Sequence, residues 1–313
     1  MEQFYAVFNQ VILFFIIMII GFCVVKFKLL SADYLPVISR FFTRVIVPFI
    51  LFANIAGGAT RADMINYSYL LIVNACIFAV LIMTTRILPK ILKLKGNRAS
   101  IFLFINSFGN VGFVGIPLLL AIYGQRAMIF VVMYTVVDQF LFWTYGVSLS
   151  FPVENRPDFS INMLKKMINP AVVAIILSFV IIMFNIRLPE VVERASMSMA
   201  NTGSALPFIY MGGVVATLKI KETIRHCEFL AGIAIKMIIL PICIFVVLRA
   251  IGIDPEIIGT TTILFGLPPV AMIPMLVSAN GSDGEYATAA VIICTLASLF
   301  TLTFVSYITS MIL

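Results

Sequence analysis

Long uncharged apolar runs recur along the whole 313-residue chain, as from Val11 to Val25 and from Ile168 to Ile186. A helix needs about 20 residues to cross a hydrocarbon core of about 30 Å, and these runs approach or reach that length. Membrane-spanning strands would instead alternate apolar and polar residues over about 10 positions, which these runs do not do. The chain therefore reads as an all-α membrane protein. Composition agrees: 62% hydrophobic and 11% charged residues leave too little polar surface for a soluble domain.

Ten transmembrane helices are predicted, over 6–27, 34–56, 68–88, 100–123, 127–150, 168–186, 196–217, 228–250, 257–279 and 286–312; they are called spans 1 to 10 here. The connections are short, and the longest polar stretch, Pro152 to Lys166, divides the chain near its middle. Thirteen basic residues fall in the loops after spans 1, 3, 5 and 7, among them Lys26, Arg86, Lys95, Arg156, Lys165 and Lys221. Five fall on the other side: Arg61, Arg126, Arg187, Arg194 and Arg249. The positive-inside rule then puts the odd-to-even loops in the cytoplasm and both termini outside, in a plasma membrane of the bacterial inner-membrane kind. The same rule explains the net charge of +7 without nucleic acid. Cys23, Cys76, Cys227, Cys243 and Cys294 sit mostly in apolar runs and suggest neither disulfides nor a metal site. Glu2 stands where a signal peptide would be basic, so the opening run is read as a first span.

The two halves of the chain are related. A shift of 157 residues carries Gly109, Ile116, Pro117 and Gly124 onto Gly266, Ile273, Pro274 and Gly281 without a gap. Spans 2 and 7 share an early Leu-Pro (Leu35-Pro36 and Leu188-Pro189) and a mid-span proline (Pro48 and Pro207). Five spans per half is an odd number, so the second half sits upside down relative to the first. Residues 1–150 and 168–313 thus read as two inverted five-helix repeats around a linker, 151–167, the plan of many secondary transporters.

Spans 4 and 9 carry the chemistry because their helix pattern fails. Span 4 holds Asn106, Gly109, Asn110, Gly112, Gly115 and Pro117; span 9 holds Gly266, Pro268, Pro269 and Pro274. Such residues are poor helix formers, and in lipid the backbone groups they free need partners. A lone glycine or proline would read as a packing kink. Matched clusters in corresponding spans read instead as crossed broken helices around a site, with breaks expected at Gly112–Pro117 and Pro268–Pro274. Candidate substrate-binding residues are Asn106, Asn110, Gly112, Pro117, Pro269, Val270 and Pro274. Half-helix N-termini suit an anion, and an amide can donate to a carboxylate. For Asn106 and Asn110 the competing role is interhelical hydrogen bonding.

Asp138 is the one carboxylate deep in a span, next to Gln139, and intramembrane acids are costly and usually functional. It is a candidate for proton or sodium coupling; the alternative is a structural pair with a Lys, Arg or amide, with Lys236 as leading partner and Arg40 and Arg44 of span 2 as further ones. His226 lies in a charged loop and receives no role, and no HExxH, GxSxG or P-loop pattern suggests an enzyme.

Span 4, Asn106-Ser107-Phe-Gly-Asn110-Val-Gly-Phe-Val-Gly115-Ile116-Pro117-Leu118-Leu119, resembles the fourth helix of the auxin efflux carrier family, roughly N-S-L-P-N-T-L-V-M-G-I-P-L-L. Val47-Pro48 in span 2 and Ala289-Ala-Val-Ile in span 10 are similar to the family as well. The family includes plant PIN-formed carriers and bacterial organic-acid permeases. The resemblance implies a sodium/proton-antiporter-like fold with crossover helices 4 and 9, elevator-type alternating access, a homodimer, and a carboxylate-bearing substrate near Asn110. Two departures stand out. The central loop is short, as in bacterial relatives. Asn74 stands where plant members carry an acid, and Asp138 where they carry an apolar residue, so Asn74, Asp138, Gln139 and Lys236 form the candidate ion-coupling set without a carried-over role.

These features predict a secondary transporter of a small organic anion, a mono- or dicarboxylate of auxin-like or malate/malonate-like kind, embedded in a lipid bilayer and needing no cofactor. A cation/proton antiporter or a sodium-coupled bile-acid-type symporter shares the helix plan. A membrane receptor would need a signalling domain or ligand module that the chain lacks.

Overall fold

Apolar side chains on the outside and hydroxyls on the inside mark how this chain buries its surface. The computed structural model describes residues 2–58, 60–156, 170–203, 205–217 and 227–312. Residues 157–167 of the expected linker, with Lys165 and Lys166, and the loop residues Lys219, Lys221 and Arg225 lie outside them. Phe300 is 77% exposed and Ile72 70%, whereas Thr260, Thr262 and Ser178 are fully buried. Ser178, Thr288 and Thr295 donate to the carbonyls of Ala174, Gly284 and Val291 one turn back, which satisfies these three within their own helices, whereas the Thr260 and Thr262 hydroxyls have no partner among the described residues. A soluble protein reverses this arrangement; a lipid-bathed bundle requires it.

Among the described residues the elements are helical, with one isolated bridge between Gly109 and Pro269. In chain order the α-helices are α1 Glu2–Lys26, α2 Leu35–Phe41, α3 Val47–Gly58, α4 Arg61–Asn66, α5 Tyr69–Ile91, α6 Gly96–Ser107, α7 Ile116–Tyr123, α8 Met128–Leu141, α9 Val147–Leu149, α10 Pro170–Met183, α11 Glu190–Thr202, α12 Leu206–Thr217, α13 Glu228–Ala234, α14 Leu240–Ala250, α15 Pro255–Gly266, α16 Ile273–Ala279 and α17 Gly284–Ile312. Among the described residues four continuous stretches are long and apolar enough to cross a membrane: Tyr69–Ile91, Met128–Leu149, Glu228–Ala250 and Gly284–Thr309.

Several expected spans are interrupted, and proline explains three of the interruptions. Wider π-turns occupy Phe42–Ile46, Val111–Gly115, Phe142–Gly146 and Ile235–Ile239. Pro48, Pro117 and Pro241 each stand two residues beyond the end of one of them. A proline inside a regular helix removes a hydrogen bond and crowds the carbonyl four residues back, at a cost of about 3 kcal/mol. Widening the preceding turn relieves that clash and keeps the backbone bonded, as lipid demands. The Phe142–Gly146 turn has no proline after it, and we have no physical account of it.

Span 7 is two helices rather than one. The polar α11 begins at Glu190, before the expected start, and ends at Thr202, and α12 opens at Leu206. Pro207 is the second residue of α12, as Pro48 is of α3. A Cβ on Gly203 would stand 2.3 Å from the Ile46 side chain, so the break in span 7 is also where it meets span 2.

The chain halves interleave in space. α1 packs along α12, and α3 packs against α10 and α11. The α1–α12 contact is backbone against backbone: a Cβ on Gly212 would lie 1.9 Å from the Met18 carbonyl oxygen, and one on Gly21 2.2 Å from that of Ile209. Phe14 and Phe208 stack beside it with ring centroids 4.2 Å apart. Small residues at such crossings are how helices adhere without a hydrophobic driving force between them.

The helices α5 and α8 run parallel. Tyr67 meets Phe130, Phe78 meets Tyr134, and Arg86 meets Tyr145, each pair further along both segments than the last. Phe265 of α15 joins Phe78 and Tyr134 with centroid distances of 4.9 Å to each, so one aromatic layer ties α5, α8 and α15 together.

Candidate functional site

α6 stops at Ser107, and Phe108 is extended at φ −126°, ψ 135°. α15 stops at Gly266, and Leu267 is extended at φ −61°, ψ 146°. The two extended pieces pair with each other: Gly109 bridges Pro269 in antiparallel fashion, and the Asn110 amide donates to the Pro268 carbonyl at 2.8 Å. Backbone groups freed by one break thus satisfy groups freed by the other. Glycine is needed there because a Cβ on Gly109 would stand 3.0 Å from the Leu267 Cβ.

The second break lies where the proline cluster predicts. The first starts earlier than expected, at Phe108–Asn110, with Gly112 and Gly115 inside the π-turn that follows. It coincides with Gly109 and Asn110, the first of the span's poor helix formers after Ser107, and the pairing with Pro268–Pro269 holds the extended segment there. The return to helix follows the sequence relation closely. α7 begins at Ile116 and α16 at Ile273, which are 157 positions apart, each with proline as the second residue. The first break is two residues longer, spanning 108–115 against 267–272, and the π-turn takes up the difference.

A small cavity of about 70 Å³ lies between this crossover, α8 and the α2–α3 segment. Its polar side chains are Asn110, Thr135 and Gln139; Gly112 and Val270 also line it, and Phe42 and Ile50 close it from span 2. Among the described residues the lining holds no Lys, Arg or His. Asn110 is 3% exposed, and its carbonyl accepts from the amides of Val114 and Gly115.

Other predicted residues take supporting positions. Pro269 belongs to the bridge, and Pro274 is buried at the start of α16. Pro117 opens α7 through its backbone; its side chain lies outside the described set. Asn106 does not line the cavity: its amide donates to the Phe102 carbonyl at 2.8 Å and packs against Gly232, where a Cβ would approach its Oδ1 to 2.5 Å.

Asp138 is fully buried. Its Oδ2 accepts from Gln139 Nε2 at 2.8 Å, and Gln139 Oε1 accepts from the Trp143 indole at 3.1 Å. Its Oδ1 has no hydrogen-bond partner among the described residues. A relay from Trp143 through Gln139, itself a cavity residue, therefore ends on a half-satisfied carboxylate.

The salt bridge suggested between Asp138 and Lys236 is not formed. Lys236, 2% exposed, donates to the Phe108 carbonyl at 2.8 Å and to the Ile105 carbonyl at 3.2 Å. Those oxygens end α6, where helical carbonyls lack partners and carry the negative end of the macrodipole. Lys236 reaches them from the Ile235–Ile239 π-turn that precedes Pro241. Pro241 in turn lies 3.2 Å from where a Gly266 Cβ would be, so the same turn touches both broken helices.

Asn74 is buried with its Oδ1 unpartnered, but it is not beside Asp138. It stands one turn before Phe78 on α5, and Asp138 one turn after Tyr134 on the parallel α8, so the aromatic layer separates them. Thr135, absent from the sequence-derived set, lines the cavity one turn before Gln139. The signal was the polar pair spaced four apart on an otherwise apolar helix.

A family model described as membrane transport protein, the auxin efflux carrier family, matches residues 6–306. No curated protein matches. The match covers nearly the whole chain, so the chain belongs to this family of multi-pass membrane transporters.

Proposed function

We propose that this member of the auxin efflux carrier family is a secondary transporter that moves a small organic anion by elevator-type alternating access, with the substrate carboxylate held at Asn110. The observation that carries this reading is the crossover: two interrupted helices meet at Gly109 and Pro269, and the Asn110 side chain lines the cavity beside them. Such discontinuous helices form the sites of many secondary transporters. The cavity lies between the crossover with α8 on one side and the α2–α3 segment on the other, a geometry suited to one body sliding past another. The Ile116–Ile273 spacing and the mid-span prolines Pro48 and Pro207 support two inverted repeats across ten spans. In this reading the protein is a homodimer in a bacterial-type plasma membrane with both termini outside.

A second reading is favoured by one observation: among the described residues the cavity lining holds no basic residue, and a buried carboxylate, Asp138, stands behind Gln139. That suits a cation/proton antiporter. Reconstitution into proteoliposomes separates the two. Organic-anion transport predicts saturable uptake or counterflow of at least one radiolabelled mono- or dicarboxylate. Sodium–proton exchange with no acid transported would replace the first reading by the second.

A further inference from the structure

A second cavity, of about 870 Å³, lies on the flank of the bundle between α5, α8 and α10. All of its lining residues are apolar, among them Ala75, Ala79 and Met83 of α5, Val137 and Phe140 of α8, and Ile176 of α10. Ala75 and Ala79 are one turn apart and exposed, and the missing bulk on that face of α5 is what opens the groove. Along α5 the lining runs from Leu71 to Met83, about 18 Å at 1.5 Å per residue. That is close to one leaflet of hydrocarbon, about 15 Å.

One turn beyond the last lining residues of α5 stands a cation. Arg86 is three residues beyond Met83 and four beyond Ile82, so it continues the same face of α5. Tyr145 continues α8 in the same way, four residues beyond Leu141. Arg86 Nε donates to the Tyr145 hydroxyl at 3.2 Å, and the guanidinium carbon lies 5.0 Å from that ring centroid. These contacts hold the guanidinium beside Tyr145, one turn beyond the groove's lining on both helices, while leaving its terminal N–H groups unused by them. Arg86 has no carboxylate partner among the described residues. Lys90, exposed, follows one turn further.

We infer that this groove is a binding site for an anionic phospholipid, with acyl chain along Ala75–Met83 and the phosphate at Arg86. Apolar length matched to a leaflet and an unpaired guanidinium at one end are the two halves of such a molecule. Phosphate suits the planar donor fork of arginine, and basic pockets beside membrane helices take anionic headgroups. The groove is walled on one side by α8, which carries Thr135, Gln139 and Asp138, and on the other by α10, which packs on α3. The bound lipid would thus sit between the two sides of the transport cavity, yet the site itself does not depend on the transport reading.

Native mass spectrometry of the full chain, released from detergent with either phosphatidylglycerol or phosphatidylcholine, tests this. The expected result is preferential retention of phosphatidylglycerol by about fivefold, the factor equivalent to about 1 kcal/mol per basic residue. Arg86→Gln should abolish the preference, and Ala79→Trp should fill the groove and release both lipids. Equal retention by the unaltered protein overturns the inference without any variant. So does a preference that survives Arg86→Gln, or retention that survives Ala79→Trp. A dimer that Ala79→Trp dissociates would show a second copy of the chain in the groove and overturn it too.

Discussion

Lys236 Nζ donates to the Phe108 carbonyl at 2.8 Å, across 128 positions of sequence and at the residue where the first crossover helix has just ended. The carbonyl of Ile105 takes a second bond from the same ammonium. A buried cation is expensive in a membrane, and here two orphan helix carbonyls offset that cost. Replacing Lys236 with Met removes the charge but strands both oxygens in an apolar interior. The loss of stability should be about 2–3 kcal/mol, the range for a hydrogen bond to a charged group and the polar atoms it leaves bare. Thermal unfolding in detergent checks this; an unchanged midpoint for Lys236→Met would mean that the carbonyls find other partners.

Pro241 provides an independent handle on the same contact. If this proline sets the π-turn that aims Lys236, Pro241→Ala lets the helix close to regular geometry and rotates the ammonium away from α6. Pro241→Ala should then lower stability although proline removal from a helix normally raises it. The double variant with Lys236→Met should lose less than the two single losses added together, because both act through one contact. Additive losses would separate the turn from the lysine.

The contrast between what the chain makes legible and what it does not follows the range of the forces involved. The π-turns before Pro48, Pro117 and Pro241 are local steric consequences of proline, so each is marked by a residue in the sequence, although spans 2 and 8 are expected there as continuous helices. The starts of α7 and α16 are likewise marked, by Ile116-Pro117 and Ile273-Pro274. The end of α6 is less plainly marked: Gly109 and Asn110 stand there, but so do Gly112 and Gly115 further on, and only the bridge from Gly109 to Pro269 shows which of them the break uses. Lys236 shows the same limit. Its intramembrane position is plain, but its partners are carbonyls that become available only once α6 has ended, at a break held by a segment more than 150 residues away. Asn74 and Asp138 are both polar intrusions in apolar helices, and only the Phe78–Tyr134 contact reveals that a layer of rings divides them.

Asn110 is the residue on which the substrate reading turns. Its backbone is committed to Pro268 and to the following turn, and its side chain lines the cavity. Asn110→Ala keeps those backbone bonds and removes the amide. Substrate affinity, once a transported acid is identified, should fall by about 1–3 kcal/mol, as for the loss of one partner of a buried polar group. The same acid bound with unchanged affinity by a folded variant would move the carboxylate elsewhere in the cavity, toward Thr135 and Gln139.

Asp138 is predicted to couple transport to an ion gradient. One carboxylate oxygen is held by Gln139, which also faces the cavity; the other has no partner among the described residues. The bare oxygen can take either a proton or a sodium ion, and each would give it the partner it lacks. The Gln139 amide is a static partner for one oxygen, but no counter-ion pairs with the carboxylate among the described residues: Lys236 is engaged with the end of α6 and makes no ion pair with Asp138. Asp138→Asn preserves size and the bond with Gln139 while removing both charge and titration. The variant should bind and exchange substrate yet fail to accumulate it against a gradient, and the dependence of uptake on external pH or sodium should flatten. A structural role predicts something different: a lowered unfolding midpoint that Lys236→Met then restores by removing the unmatched cation. Accumulation by Asp138→Asn with an unchanged pH and sodium profile would exclude coupling at this residue and leave facilitated, uncoupled movement as the reading for the cavity beside it.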